Sequence, residues 1–292
     1  MIVVTVPAYN EEKTIGKVIG DIKRVMQELR KPYSVLVVDD GSRDRTADIA
    51  RGAGAKVVRH PLNYGLAEAF RTELKECVKL KADIIVHTDA DGQYRAEEIP
   101  ILIKAVEEGN DLVLGSRFLG RIESMPFTKR MGNRLFSRAI SNIVGMRITD
   151  AQTGFRAFTG EIAREIPVRS SHTYTQEQII RAVKEKYKVK EVPVTFLKRE
   201  GKSRLIRNPF EYAIKAWINI FRVLRDYKPL KFFGVFGFGF LAVGLALGIW
   251  ILSTLSTTGT VGGIPRVILS ALFIITGVQI VLFGFLADML RP

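Results

Sequence analysis

Apolar and polar positions follow two alternating rhythms along the first 115 residues. Short apolar runs at 2–6, 34–38, 56–58, 83–88 and 111–115 read as β-strands. Between them lie stretches with helical spacing, at 12–29, 46–53, 65–79 and 96–108. The first places Ile15, Val18, Ile19, Ile22, Val25 and Leu29 on one face. This repeated strand–helix order predicts an α/β fold, a mostly parallel sheet flanked by helices. Ligands of such sheets bind outside the carboxyl ends of the strands.

The rhythm breaks at the C-terminal end. Residues 232–255 and 267–287 contain no charged side chain, and a Gly-rich polar turn separates them. About 20 apolar residues in a helix span the hydrocarbon of a bilayer. The two runs therefore predict a transmembrane hairpin at 232–292. Neither holds an internal Asp, Glu, Lys, Arg or His, so the hairpin reads as an anchor and not a transport path. Asn208, Pro209 and Glu211 can start a helix. Phe210, Ile214, Trp217, Ile218, Phe221 and Leu224 follow at helical spacing among basic residues. Residues 206–231 thus read as an amphipathic juxtamembrane helix, which leaves 1–205 as the catalytic-sized domain.

Charge sharpens this division. The 292-residue chain has a net charge of +14, and all but +1 lies in the first 231 residues. Ten Lys or Arg residues fall between 198 and 231, while the hairpin turn holds only Arg266. The positive-inside rule places the soluble part on the cytoplasmic side of the membrane. Met1 leads straight into an apolar strand, and no signal peptide is expected. Cys77, the single cysteine, excludes an internal disulfide and reads as a core residue. A basic chain invites a nucleic-acid reading, but the charge gathers towards the membrane end and no recognition motif accompanies it.

Four polar clusters sit where strands end: Pro7-Ala8-Tyr9-Asn10-Glu11, Asp39-Asp40, Asp89-Ala90-Asp91 and Ser116-Arg117. No GxGxxG or GxxxxGK[ST] loop is present, which excludes the usual dinucleotide and P-loop sites. Asp89 and Asp91 suit a hard divalent cation, Mg²⁺ or Mn²⁺, with Gln93 as a further oxygen donor. Such a cation can hold a diphosphate. His60, His87 and His172 show no catalytic pairing, and His87 reads as a core histidine.

These motifs resemble the family 2 glycosyltransferases of the GT-A fold. PAYNEE, VVDDGSRDRT, DADGQ and GSR occur in that order, and DAQTGFRAF (150–158) and REGKSRL (199–205) follow. The last two resemble the polyprenyl-phosphate hexosyltransferases, including dolichyl-phosphate mannose synthases. The resemblance implies that Pro7, Ala8, Tyr9, Glu11 and Asp39 hold the nucleoside, with Asp40 supporting the pocket. It implies that Asp89, Ala90, Asp91 and Gln93 carry the metal and donor diphosphate. Arg117 would meet the acceptor phosphate. Relatives place an Arg and a Ser in the following helix for that phosphate, whereas this chain offers Lys129, Arg130, Asn133 and Arg134. Arg199, Ser203 and Arg204 would form a gate over the diphosphate.

The implied reaction moves mannose or glucose from GDP-mannose or UDP-glucose to a polyprenyl or dolichyl phosphate, with inversion at the anomeric carbon. A GlcNAc donor, the lipid length and a possible homo-oligomer stay open. The acceptor phosphate is already mostly ionised at neutral pH, so a general base adds little. Two rival readings are a processive polysaccharide synthase and a non-catalytic, membrane-anchored scaffold that binds nucleotide sugars. The first is weakened by Gln178-Ile179-Ile180-Arg181-Ala182, which lacks the Trp of the synthase motif; Glu177 there reads as structural or acceptor-side.

Overall fold

The computed structural model describes residues 1–168, 174–198, 218, 220–261 and 263–290. Arg199, Ser203, Arg204 and His172 lie outside the described residues, as do 206–217 and 219 of the expected juxtamembrane helix. The chain divides into two compact units, Met1–Ala216 and Trp217–Pro292.

The first unit is built on seven strands: β1 (Ile2–Ala8), β2 (Tyr33–Asp39), β3 (Lys56–Arg59), β4 (Ile84–His87), β5 (Leu112–Ser116), β6 (Arg156–Thr159) and β7 (Val189–Pro193). Their order in the sheet is β3-β2-β1-β4-β6-β5-β7. All pairs are parallel except the two made by β6, which runs antiparallel between β4 and β5. Every residue of β1 is buried, as a central strand covered on both faces requires. Its side chains alternate between two layers. Val4 and Val6 join the core beneath α1 (Ile15–Glu28) and α4 (Ile99–Glu107). Thr5 points the other way and reaches Glu73 of α3 (Leu66–Lys79).

Helix α1 buries Ile15, Ile19, Ile22, Val25 and Met26, each worth about 1.5–3 kcal/mol when fully removed from water. It starts at Ile15, three residues later than its periodicity predicts, because residues 10–12 are bonded to the loop after β2. Among the described residues the remaining α-helices of this unit are α2 (Thr46–Gly52), α5 (Phe127–Val144), α6 (Gly160–Glu165) and α7 (Tyr174–Lys184).

The second unit contains α8 (Pro229–Thr258) and α9 (Ile264–Met289), both long and apolar enough to cross a membrane. Beyond Pro229 at the start of α8, the buried positions of the pair fall seven apart: Gly237, Gly244 and Ile251 on α8, and Ser270, Gly277 and Gly284 on α9. A seven-residue repeat of small side chains is the seam of a closely packed left-handed pair. A Cβ added to Gly277 would stand 2.9 Å from the carbonyl oxygen of Gly237, and Ser270 Oγ donates to Gly244 O at 2.8 Å. At the turn end Arg266 lies over the Trp250 ring, 4.9 Å from its centroid. Gly277→Leu is expected to melt several degrees below the parent in detergent. Gly239→Leu, whose new side chain starts in open space, is expected to leave the melting temperature alone. Equal melting of the two variants would remove the glycine seam as the hairpin's contact.

Candidate active site

The ends of β1 and β2 are sewn together by side-chain bonds to backbone. Asn10 adopts a left-handed conformation at φ 54°, which Asn tolerates better than most residues. Its Oδ1 accepts from Arg43 N at 2.8 Å, and its own N–H donates to Ser42 Oγ. Glu11 N–H donates to Thr46 Oγ1. Pro7 and Ala8 are buried at the end of β1, while Tyr9 just after it is 38% exposed. Asp39 is buried; Ser42 N–H donates to its Oδ1, and Arg59 Nε lies 3.0 Å from its Oδ2. Asp40 supports the wall. It accepts from the N–H groups of Tyr64 and Gly65 and pairs with His60 Nδ1 at 2.7 Å.

Strand β4 delivers the acidic pair. Asp89, Ala90 and Asp91 follow His87 within four residues, and Asp89 and Asp91 are both partly exposed. Asp91 Oδ1 accepts from Gln93 N–H at 3.1 Å. Gln93 Nε2 donates to Leu197 O, and Leu197 N–H donates to Gln93 O. Asp89 rests against a bare backbone. A Cβ on Gly154 would stand 2.8 Å from Asp89 Oδ1 and 3.0 Å from Oδ2, so only glycine lets the carboxylate lie there. A cavity of about 370 Å³ opens beside Asp91, with Lys13, Lys17, Arg95 and Lys198 in its lining.

Arg117 follows β5 and is buried. Its Nε and Nη2 donate to the two oxygens of Asp150 at 2.6 and 2.8 Å, and its backbone N–H also donates to Asp150. The guanidinium lies over the Phe196 ring, 5.1 Å from its centroid. Burial opposes its charge, but the hydrogen-bonded Asp150 carboxylate, with the Asp89 charge, outweighs that and holds its pKa above the ordinary value. Burial also pushes the Tyr94 hydroxyl up to about 12, so it stays neutral beside Thr153. On α5, Arg130 and Arg134 are exposed, Lys129 is partly exposed and Asn133 is buried. Arg134 stacks over Phe118, the residue after Arg117, at 5.4 Å.

The turn at 150–154 touches both halves of this arrangement: Asp150 binds Arg117, and Gly154 abuts Asp89. The sequence reading named DAQTGFRAF only as a family marker and gave Asp150, Gly154 and Arg156 no role. A Gly and an Arg two residues apart at the start of a short β-like run were the available signal.

His87 is fully buried, the core histidine expected, yet it and His60 both have acidic partners that spacing did not predict. Both sit in acid pairs, His60 with Asp40 and His87 with Glu73 at 2.7 Å. The partners lie 20 and 14 residues apart in the chain, so local spacing could not reveal them. The His87–Glu73 pair, with Thr5 Oγ1 on Glu73, is fully buried beneath the sheet and holds β1, β4 and α3 together. Cys77 is buried close by, and burial with the Glu73 charge drives its thiol pKa upward, as suits a core residue. Glu177 is buried and accepts from Arg181 Nε.

Residues 3–166 match the family described as glycosyl transferase family 2. The chain belongs to that family. This glycosyltransferase is 34% identical to a dolichyl-phosphate hexose transferase of Haloferax volcanii over 71% of its length and 86% of the relative. It is 30% identical to the glycosyltransferase AglJ of the same organism, over 97% of its own length and 91% of that protein. Its fold resembles a solved glucosyl-3-phosphoglycerate synthase from Mycobacterium tuberculosis in complex with Mn²⁺ and UDP-glucose. The TM-score is 0.59 at 22% identity, covering 77% of this chain and 78% of that one. The seven-stranded sheet of the transferase is thus GT-A-like, with the acid pair after β4 and Arg117 after β5.

Proposed function

We propose that this glycosyltransferase moves a hexose from a nucleotide-diphosphate sugar to a polyprenyl or dolichyl phosphate at the cytoplasmic membrane face, with a divalent cation and inversion. The observation that carries the reading is the 150–154 turn, which binds Arg117 through Asp150 and touches Asp89 through Gly154. Acids for a metal and guanidinium for a phosphate are what two anionic substrates require when brought together.

The donor set fits a hard cation. Asp89 and Asp91 offer carboxylate oxygens, and no group of three acidic, His or Cys side chains stands together among the described residues. Two carboxylates leave coordination positions for diphosphate oxygens and water, the usual balance for Mg²⁺ or Mn²⁺. A bound cation would neutralise charge growing on the leaving nucleotide. Tyr9, Glu11 and Asp39 line the nucleoside end, and Asp40 braces it. Arg117 spends Nε and Nη2 on Asp150 and keeps Nη1 for the acceptor. Arg134, stacked beside it, is the α5 residue best placed to share that phosphate.

Helix α5 also presents a surface that fits a lipid acceptor. Phe127, Met131 and Leu135 are exposed at four-residue intervals, Phe127 by 76%, among Arg130, Arg134 and Arg138. Such a face suits the boundary between headgroups and acyl chains. A processive synthase is disfavoured. Gln178 and Arg181, the remnants of its motif, are spent on Arg156 and Glu177.

The test is transfer of radiolabelled sugar from GDP-mannose, UDP-glucose or UDP-GlcNAc to short-chain polyprenyl phosphate, with and without EDTA. One donor is expected to label the lipid, and EDTA to abolish labelling. Transfer undiminished by EDTA would remove the cation; no lipid labelling from any donor would remove the acceptor assignment.

A further inference from the structure

We infer that Arg156 is a positioning residue for the metal site, clamping the 153–154 turn against Asp89 from inside the protein. The inference rests on the proposal that Asp89 holds a divalent cation. Strands β4 and β6 pair antiparallel with His87 opposite Arg156, the last residue of one strand opposite the first of the other. Continued two residues further, that register sets Asp89 opposite Gly154, where the carboxylate meets the glycine backbone. The position of Asp89 therefore depends on where the turn before β6 is held.

Arg156 holds it. Its side chain is fully buried, and Nη2 donates back to Thr153 O, the carbonyl just before Gly154. Nη1 donates to Thr175 O and to Gln178 Oε1 at 3.1 and 3.0 Å, anchoring the guanidinium to the first turns of α7. One planar group thus joins the β6 turn to a helix, which the point charge of lysine cannot reproduce. Burying this cation is costly, and burial pulls its pKa below the ordinary value. Among the described residues no carboxylate is hydrogen-bonded to it, and Nε is buried without a partner. An apolar side chain would fill the space more cheaply. The residue makes physical sense if its return is the geometry of the turn, and through it of Asp89.

The test measures Mn²⁺ binding directly. The full chain in nanodiscs is titrated with Mn²⁺, and free Mn²⁺ is read by electron paramagnetic resonance. The variants are Arg156→Lys, Gly154→Ala and the two combined. Each single change is expected to raise the Mn²⁺ dissociation constant about tenfold, the usual scale for residues that orient a ligand. The double variant is expected to bind no more weakly than the worse single, because both act on one element. Transfer by Arg156→Lys should recover at high Mn²⁺. Should that variant fold poorly, Gln178→Met removes one bond of the clamp and is expected to weaken binding by about two- to fivefold. Wild-type affinity in folded Arg156→Lys, or fully additive losses in the double variant, would overturn the inference. If the unaltered protein binds no Mn²⁺, the metal proposal itself falls.

Discussion

Asp91→Ala is expected to lower sugar transfer about a thousandfold while the protein stays folded. The two effects separate because Asp91 is partly exposed beyond the end of β4 and outside the hydrophobic core. In the DADGQ turn its Oδ1 accepts from Gln93 N–H, a bond worth about 1 kcal/mol. In a domain of this size that shifts the melting temperature by about 2–4 °C. Its chemical role is larger. Cation stabilisation of a leaving diphosphate contributes several kcal/mol, and each 1.36 kcal/mol is about a factor of ten in rate. The measurement is initial rate of labelled lipid formation across a Mn²⁺ series, beside a melting curve. Asp40→Asn makes the useful contrast. Asp40 accepts two backbone N–H groups and pairs with His60, so its loss should appear first in the melting curve. An Asp91→Ala protein that turns over normally would end the metal assignment.

The strand–helix alternation was legible because each β1–β5 strand is a compact apolar run and each helix carries a wide apolar stripe. The first residues of the site were legible for the same reason: a parallel sheet places polar clusters after its strands on one edge. What followed residue 116 was harder. Strand β6 is four residues long and antiparallel, and its partners β4 and β5 lie more than 40 residues upstream. Nothing in the local pattern of RAFT fixes its direction. The contacts it creates, Gly154 on Asp89 and Arg156 under Thr153, exist only once that pairing forms. The histidine pairs were hidden likewise. His87 meets Glu73 because β4 and α3 cross in three dimensions, although both residues look unremarkable in sequence. The hairpin was the most legible part, since uncharged length alone announces it. Its heptad seam emerges only when Gly237 is seen to face Gly277, Gly244 to face Ser270 and Ile274, and Gly284 to face Phe233.

Asp150→Asn is expected to cost about 3–5 kcal/mol of stability, the usual price of leaving one buried charge without its partner. Arg117 would keep its charge, lose an ionic fork of 2.6 and 2.8 Å, and stay enclosed by Tyr94 and Phe196. At about 2–4 °C per kcal/mol the melting temperature should fall by roughly 6–20 °C. Activity will fall with it, so the single variant cannot separate scaffold from chemistry. A double variant, Asp150→Asn with Arg117→Met, can. It removes both charges and fills the space, and exchanges of that kind recover most of the lost stability. If Arg117 only props up the β5 end, the recovered protein should recover transfer. If Nη1 meets the acceptor phosphate, melting should return while transfer stays low, with the defect seen in the KM for lipid phosphate. The KM for donor should hold, because the acid pair is attached to the far side of the same turn through Gly154.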